Sequence, residues 1–322
     1  MKKQEFTIGV NDAGQRADKF LLKACRELPQ SLLYKTFRKR DVKLNGKRIP
    51  AETFLQAGDC LTVFLPDDIA VSARKPVPAE ALPMPEIVYE DRVIVLMKKP
   101  VDLPVHADDK GSRDTMAARF LQYLMQTGAY DAAREQSFSP ALCNRLDRNT
   151  EGFVIGAKTA AALRTMNEKI RLGEVQKEYL CITAGIPPKQ ADTVTAYHRR
   201  LSGKNAEISA VPREEFREMR TGYRVIGTRE DGLALVHIRL YTGRTHQIRL
   251  QMAALGCPVL GDGRYGDPAA NRNFHEPHQL LAACMLSFPF SAEETVCDAL
   301  RGKRFSYQPG FCAKYGFHWN AE

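Results

Sequence analysis

The sequence predicts an α+β fold whose larger part carries a mixed, mainly antiparallel sheet. Beyond residue 86, predicted strands outnumber predicted helices and do not alternate regularly with them, which argues against a doubly wound parallel sheet. Residues 66–86 hold prolines at 66, 76, 78, 83 and 85, which exclude a regular helix and favour an extended connector. We therefore expect a small unit at 1–65, a linker at 66–86 and a larger domain at 87–322.

The first 65 residues predict the order helix, basic helix, hairpin, strand. Residues 17–28 place apolar side chains at helical spacing, and Ser31 is predicted to cap a second helix after Pro29. Lys35 and Arg38 lie on the polar side of that helix. Asn-Gly at 45–46 predicts a hairpin between 42–44 and 47–49, which adds Lys43 to the basic residues. A strand at 61–65 closes the unit.

The charge of the chain favours an anionic partner. The net charge is +9, and residues 1–65, with 13 Lys/Arg and 7 Asp/Glu, supply +6 of it. Nucleic acid is the commonest partner of such a surface, and an ordinary solvated helix face is the alternative.

Several classes of protein and site are disfavoured by composition. No apolar run reaches the roughly 18 residues that span a membrane, and the N-terminus lacks a signal-peptide pattern, so we expect a cytoplasmic protein. The eight cysteines form no C-x-x-C pair, which predicts reduced structural thiols and no metal site.

The sequence of the larger domain predicts six strands and three helices, which do not alternate regularly. Residues 187–221 are polar and basic, including Lys204, and indicate either a hairpin or a mobile loop. Helix ends are predicted from Gly128, Gly173 and Gly256, and Thr245 is the predicted cap of the third helix. The predicted strands are 87–89, 93–98, 153–157, 176–184, 223–227 and 233–241, and the predicted helices are 115–126, 159–172 and 245–255.

The segment 144–158, NRLDRNTEGFVIGAK, is the strongest candidate for chemistry. Asp147 lies between Arg145 and Arg148, at the entry to a turn and an apolar strand. Neighbouring cations favour the ionised form of a carboxyl group, and arginines are suited to phosphate binding. For an isolated R-x-D-R, a solvated surface turn is the competing interpretation.

A second candidate segment covers residues 241–249, YTGRTHQIR. Arg244 lies where a strand turns into a helix and is expected to reach a carboxylate, and a helix N-terminus attracts anions. His246 and Arg249 share one helix face, with hydrogen bonding or packing the favoured role for His246. On the strand at 176–184, alternation places Lys177 and Tyr179 on one face.

Residues 261–266, GDGRYG, match the pattern G-x-G-x-x-G of dinucleotide sites. Such a site needs a helix to follow, and Pro268 argues against one, so the sequence disfavours an enzyme with a nucleotide cofactor. Arg264 is instead expected in a loop that contacts substrate or packs on the site.

Together, five segments resemble the RluA-type pseudouridine synthases. They are 93–106, 144–152, 177–180, 242–249 and 261–266, and residues 14–65 resemble the alpha-L RNA-binding motif. The resemblance implies a catalytic domain with a central cleft, which isomerises uridine to pseudouridine in structured RNA without cofactor or metal. Ribosomal RNA of the large subunit is the favoured substrate, transfer RNA the other option, and a monomer is expected.

The resemblance also implies roles for individual residues. Asp147 matches the catalytic aspartate, Tyr179 the tyrosine that stacks on the base and is a candidate for final proton removal, and Arg244 the arginine that pairs with the aspartate. Arg145 matches the arginine that holds RNA with its target base displaced. The full set of expected RNA-binding residues is Arg145, Arg148, His246, Gln247, Arg249, Arg264, Lys35, Arg38 and Lys43.

Three residues depart from the family pattern. Asn144 and Ala282 stand where histidine is common, and Glu151 stands where serine is usual. Glu151 is expected to add negative charge near the RNA path. The alternative to an enzyme is a non-catalytic RNA-binding or ribosome assembly protein, which would have no need of Asp147, Tyr179 and Arg244 together.

Overall fold

The structure, a computed structural model, describes residues 2–25, 28–66, 81–108, 111–200, 206–291 and 293–320. Residues 67–80 of the predicted linker and Lys204 lie outside these ranges. The helices are α1 (Ala17–Ala24), α2 (Gln30–Arg38), α3 (Met116–Gln126), α4 (Ala160–Arg171), α5 (Gln247–Ala254), α6 (Pro268–Asn273) and α7 (Gly310–Lys314). The strands are β1 (Lys2–Thr7), β2 (Val42–Leu44), β3 (Lys47–Arg48), β4 (Cys60–Leu65), β5 (Glu86–Glu90), β6 (Ile94–Lys99), β7 (Ala141–Leu142), β8 (Glu151–Ala157), β9 (Gln176–Ala184), β10 (Ala191–Arg200), β11 (Ala206–Ser209), β12 (Arg217–Thr228), β13 (Leu233–Leu240), β14 (Leu281–Ser287) and β15 (Arg304–Ser306).

The first 65 residues form a four-stranded sheet in the order β1-β4-β2-β3 with α1 and α2 packed on it. The predicted hairpin is present, and Asn45 and Gly46 adopt φ values of 52° and 80°, as a tight turn between twisted strands requires. The sequence did not predict β1, which pairs with β4 along its whole length. The prediction that Ser31 caps α2 is wrong, because the helix already begins at Gln30 and Pro29 occupies the cap position.

The remaining strands form an 11-stranded sheet. Its main order is β11-β10-β12-β13-β9-β14-β8-β6-β5, with β15 and β7 attached at β14 and β8. All pairings are antiparallel except β14 with β8. This confirms the predicted α+β class with a mixed, mainly antiparallel sheet. The polar stretch at 187–221 contributes β10, β11 and the start of β12, so the hairpin interpretation is correct.

Helices α3 and α5 cover one face of this large sheet, which we call the cleft face. Tyr179, Val236 and Ile238 pack there against residues of α3 and α5 such as Phe120 and Met252. The alternate residue Leu180 packs on the opposite face, with α7 and the C-terminal segment. The predicted alternation along β9 is therefore confirmed.

Two predicted helices of the larger domain are confirmed nearly to the residue. Thr115 and Thr159 cap α3 and α4 through their side chains, and Gly128 and Gly173 follow with φ of 74° and 75°. The third helix differs, because α5 starts at Gln247 and Thr245 is not its cap.

The N-terminal sheet unit contacts the larger domain through a few polar pairs. Asp12 Oδ1 accepts a hydrogen bond from the Ser137 amide at 3.1 Å, and Gln15 Nε2 donates to Ser137 Oγ at 2.8 Å. Asn11 Oδ1 accepts from the amide of Ala160, the first residue of α4, at 3.2 Å. These bonds place the unit beside the start of α4. Its role in RNA binding stays a prediction.

Across the described ranges, no helix combines the length and apolar character needed to cross a bilayer.

Candidate active site

Asp147 lies in the loop between β7 and β8, on the cleft face of the large sheet. Asn144 fixes the start of this loop, because its Nδ2 donates to the Phe153 carbonyl at 3.2 Å and its Oδ1 accepts from the Ile155 amide at 2.8 Å. The Thr150 amide donates to the Asp147 carbonyl at 3.0 Å and closes the turn. The departure at Asn144 therefore has a structural role, which is to hold the loop on β8.

Lys99 supports the same loop from beneath. Its side chain is fully buried, and Nζ donates to the carbonyls of Pro100, Leu103 and Arg148 at 2.7–2.8 Å. Burial lowers the pKa of Lys99 to about 7, against the opposing fields of Asp147, Asp102 and Glu151. The sequence did not predict that Lys99 supports this loop, because the three carbonyls that it binds come together only in the folded chain.

The closest charged partner of Asp147 is Arg249 on α5. Arg249 Nη1 donates to Asp147 Oδ2 at 2.9 Å. The other edge of the guanidinium binds Asp262 twice, from Nε at 2.7 Å and from Nη2 at 2.8 Å. Burial opposes the charge on Arg249, but its bonds to Asp262 and Asp147 raise its pKa overall. One guanidinium thus joins two carboxylates, and only Asp147 faces the cleft.

The prediction that Arg244 pairs with Asp147 is wrong. Arg244 Nε donates to the carbonyl of Glu218 at 3.1 Å, although the side chain still lines the cleft. The reason is the start of α5, where His246 takes a left-handed φ of 55° and turns the chain before the first helical residue. Arg249, in the first turn of α5, therefore reaches the aspartate.

Asp262 was not predicted, although it lies inside the GDGRYG segment. Its side chain is fully buried, and Oδ1 also accepts from the amides of Arg264 and Tyr265 at 2.8 and 3.1 Å. Burial raises the pKa of Asp262, but Arg249 and these amides hold it below its usual range. The amides that would cradle a phosphate in a dinucleotide site bind this carboxylate instead.

The expectation that no helix follows GDGRYG is also wrong. A short helix, α6, begins at Pro268, and Asp267 caps it by accepting from the amides of Ala269 and Ala270. Proline at the first helical position is compatible with a helix start, because its missing N–H has no intrahelical partner there.

His246 and Tyr265 form the wall next to Asp147. His246 Nδ1 and the Tyr265 hydroxyl are 3.0 Å apart, and His246 Nε2 lies 3.8 Å from Asp147 Oδ2. Burial lowers the pKa of His246, so its ring is neutral at pH 7. Arg264 lies over the Tyr265 ring, 5.0 Å from its centroid. This wall carries hydrogen-bonding groups and an aromatic ring beside Asp147.

Tyr179 forms the floor of the cleft. It is 7% exposed, and burial raises its pKa, with the Asp147 charge as a further cause. The cleft has a volume of about 650 Å³ and includes Arg145, Asp147, Tyr179, Tyr241 and Arg244 in its lining. A second cavity of about 360 Å³ adjoins it and shares Asp147 and Arg145. Asp147 thus lies where two cavities meet.

The expected RNA-binding residues divide into exposed and buried groups. Arg145 is exposed at the cleft, and Arg264 is exposed beside Tyr265. Lys35 and Arg38 are exposed on α2, while Lys43 is half-buried with Nζ 5.9 Å from the Phe64 ring centroid. Arg148 is exposed but binds Asp102 and Asp108 at 2.8 and 3.4 Å, so it is not a partner of Asp147.

The prediction that Gln247 and Arg249 bind RNA is wrong, because both side chains are buried. Gln247 is 2% exposed, and its amide binds the Arg220 carbonyl and Thr221 Oγ1 while its oxygen accepts from Thr242 Oγ1. Arg249 is 7% exposed and is occupied by two carboxylates. Neither side chain has a surface for phosphate, so both organise the site from inside.

The other two departures lie away from the cleft. Glu151 alternates with Phe153 and Ile155, which pack on the face away from the cleft, and it lines neither cavity at Asp147. Burial raises the pKa of Glu151, against the nearby charges of Lys98 and Lys99. Ala282 is fully buried in β14. Glu151 therefore adds no charge to either cavity at Asp147, and its effect on the RNA path stays a prediction.

The chain is similar to proteins of known class. Residues 93–254 match the family model for RNA pseudouridylate synthase. A ribosomal large subunit pseudouridine synthase C from Vibrio cholerae is 32% identical over 300 residues, which cover 90% of each chain. A protein of the same name from Haemophilus ducreyi is 31% identical over 271 residues, 83% of this chain and 80% of that one. The solved structure of human RNA Pseudouridylate Synthase Domain Containing 4 is similar in fold, with a TM-score of 0.55 and 23% identity over 71% of this chain and 90% of that one.

Proposed function

Since the chain belongs to the RNA pseudouridylate synthase family and isomerises uridine to pseudouridine in RNA, we propose that Asp147 is its catalytic carboxylate and large-subunit ribosomal RNA its substrate. The pairing of Asp147 with Arg249 in an open cleft carries the first proposal. The names of the relatives from Vibrio cholerae and Haemophilus ducreyi support the second.

The reaction needs the target base outside its helix. The bond between C1′ and N1 of the uridine breaks, the uracil rotates, a bond forms between C1′ and C5, the C5 proton leaves and N1 takes up a proton. A stacked base cannot turn, so the nucleotide must be flipped into a pocket. The cleft beside Asp147 is the pocket we assign to it, and the exposed Arg145 at its rim is placed to hold the displaced strand.

Asp147 can start the isomerisation in either of two ways. Its carboxylate can attack C1′ and release the uracil, or it can remove the C2′ proton to leave a glycal. Both need an ionised carboxylate at a fixed position. Arg249 supplies this, because its guanidinium donates to Oδ2 of Asp147 and is itself held by Asp262. Oδ1 of Asp147 has no hydrogen bond to Arg249.

Tyr179 is assigned to stack on the uracil. Because burial and the Asp147 charge raise its pKa, it enters the reaction as a neutral phenol. A neutral phenol can take the C5 proton only if its own proton passes to another acceptor, so stacking is its main role. Arg244, no longer the partner of Asp147, is assigned to a backbone phosphate at the rim of the cleft.

The N-terminal unit is assigned to general RNA binding. Lys35 and Arg38 are exposed on one helix and Lys43 follows on the hairpin. The double variant Lys35→Gln/Arg38→Gln should lower the salt slope of RNA binding, by about 0.7–0.9 for each phosphate that the two side chains bind. An unchanged slope would contradict this role. We expect the enzyme to act as a monomer in the cytoplasm.

Tritium release tests the substrate and the reaction together. Large-subunit ribosomal RNA labelled at uridine C5, taken from cells that lack this gene, should release tritium with the wild-type enzyme, because the C5 hydrogen leaves when the new bond forms. Transfer RNA labelled in the same way serves as the comparison. Release from transfer RNA alone would contradict the proposed substrate, and release from neither would favour a non-catalytic role.

A further inference from the structure

The large sheet has a second face, turned away from Asp147. Helix α7 and the C-terminal segment cover it at Leu233 and Leu235 of β13, and alternate residues of β10 and β12 remain exposed. Residues 191, 193 and 195 of β10 and 220 and 224 of β12 are exposed there, in alternation with less exposed neighbours. Strand register aligns them with the corresponding residues of β13 and β9. We call this surface the outer face and define it by Glu178, Thr193, Arg220, Gly222, Arg224, His237, Arg239, Tyr241 and the adjacent Arg304.

The outer face is strongly cationic. Within the described ranges, none of its four arginines has a carboxylate oxygen within 4 Å, and they are Arg220, Arg224, Arg239 and Arg304. Of the nearby acids, Glu178 lies 2.7 Å from His237 Nε2 and Asp192 lies 2.8 Å from Lys189. Glu218 lies at the start of β12, at one end of the outer face. Arg239 and Arg304 lie within the field of Glu178, but four arginines against this one carboxylate leave an excess of positive charge, which favours an anionic ligand.

Tyr241 gives this face an aromatic platform. The side chain is 47% exposed, and the guanidinium carbons of Arg220 and Arg239 lie 4.9 and 5.5 Å from its ring centroid. Gly222 leaves room for the ring, since a Cβ there would come within 3.3 Å of Tyr241 Cε2. An exposed ring flanked by arginines is the arrangement that binds single-stranded nucleic acid, by stacking on a base and contacting the phosphates beside it.

The outer face is continuous with the cleft through the same tyrosine. Tyr241 lines the cleft, and it also lines a cavity of about 400 Å³ on the outer face with Arg224 and Arg239. A further cavity of about 520 Å³ shares Arg224 and extends to Arg304 and Trp319. A strand that leaves Asp147 at this rim thus meets an aromatic ring first and then a row of arginines.

We propose that the RNA strand next to the target uridine leaves the cleft over Tyr241 and continues along the outer face. One base stacks on Tyr241, and phosphates bind Arg220, Arg224, Arg239 and Arg304. This inference rests on the proposed function, because it extends the path of the same RNA substrate. It makes the outer face a second substrate surface, on the side of the sheet opposite to the catalytic carboxylate.

Binding of a fluorescein-labelled oligouridine of 12 nucleotides tests the surface directly. Tyr241→Ala should weaken binding about tenfold, and Tyr241→Phe should retain it because the ring remains. Arg224→Gln/Arg304→Gln should reduce the slope of log affinity against log salt by about 1.4, since each phosphate bound on a single strand contributes about 0.7 to that slope. The matched control is Arg92→Gln/Arg134→Gln, which removes the same charge from two exposed arginines elsewhere.

The two hypotheses fail in different ways. If the arginine variant has the same salt slope as the control, and Tyr241→Ala binds like the wild type, the outer face does not bind RNA and the proposal is overturned. If the outer face binds RNA, the same variants should raise the KM for tritium release from ribosomal RNA about tenfold. A wild-type enzyme that releases no tritium would contradict the proposed function itself.

Discussion

Arg249 Nη1 donates to Asp147 Oδ2 across 2.9 Å, and this bond joins two segments that lie 102 residues apart in the chain. The same guanidinium is held from behind by the fully buried Asp262. Buried ion pairs of this kind contribute little net stability, because desolvation offsets the attraction. Their value here is geometric, since Asp262 fixes the fork of Arg249 and Arg249 fixes one oxygen of Asp147.

Replacing Arg249 with lysine should separate the true partner of Asp147 from the one that the sequence suggested. A lysine keeps the charge but cannot bind two carboxylates through a planar fork. We expect Arg249→Lys to lower kcat/KM roughly a hundredfold or more, and Arg244→Lys, which keeps a cation at the rim, to have a much smaller effect. Tritium release with both variants, after circular dichroism has confirmed folding, makes the comparison. Equal losses would contradict the assignment.

Asp262→Asn should lower activity without any contact with substrate. The variant keeps the side-chain volume but leaves Arg249 with one carboxylate, so we expect a loss of about 10–100-fold in kcat/KM and a lower Tm. Asp267→Asn is the matched control, because Asp267 is the exposed cap of α6 and asparagine caps helices equally well. If both variants behave alike, Asp262 does not position Arg249.

Lys99 should make stability depend on pH in a defined window. Its pKa is about 7 in the folded chain, and in the unfolded chain it takes the ordinary lysine value of 10.5. The unfolded chain therefore binds more protons between pH 7 and 10.5. The free energy of unfolding should therefore rise with pH across this window, by at most about 1.4 kcal/mol per pH unit, and the penalty is complete below pH 7. Lys99→Met removes this slope. Urea unfolding of both proteins at pH 7, 8 and 9 checks it, and parallel pH curves would exclude the shift.

Gly152→Ala should prevent normal folding, because β8 meets β14 there. A Cβ at Gly152 would lie 2.3 Å from the Ala283 carbonyl oxygen, and φ is 124°. Gly173 also has positive φ, 75°, but a Cβ there meets nothing within 4 Å. We expect Gly173→Ala to cost only about 1–2 kcal/mol of unfolding free energy and Gly152→Ala to be largely insoluble. Thermal unfolding of the soluble fractions distinguishes them.

Local signals in the sequence predicted most of the elements around the site. Gly128 and Gly173 predicted the ends of α3 and α4, and the Asn-Gly pair predicted the first hairpin, because each depends on backbone geometry within a few residues. The structure adds the caps Thr115 and Thr159 as a local signal of the same kind at the helix starts. Among the elements that the sequence did not predict, two show the physical reason clearly. The edge strand β1 depends on β4, more than 50 residues away, and the continuous apolar run of β14 has no periodicity that separates a buried strand from a helix.

The pairing within the site could not be read from the sequence. Four arginines lie in segments 144–152 and 242–249, and only the fold shows that Arg249 pairs with Asp147 while Arg148 pairs with Asp102 and Arg244 binds a carbonyl of β12. The left-handed residue His246 sets this choice, because it delays the start of α5 by two residues relative to the predicted helix. The only sequence feature that marked Asp262 was its position as an acidic residue inside a glycine-rich loop. A dinucleotide-binding pattern also contains such a loop, so this feature did not predict its role.

We infer above all that Asp147 performs the isomerisation. Pseudouridine mapping on total RNA from cells that lack the gene, complemented with wild type or with Asp147→Asn, tests it most directly. We predict a uridine in large-subunit ribosomal RNA that is modified with the wild type and unmodified with Asp147→Asn, while the variant protein still binds RNA. Modification of that uridine by Asp147→Asn at the wild-type level would contradict the account.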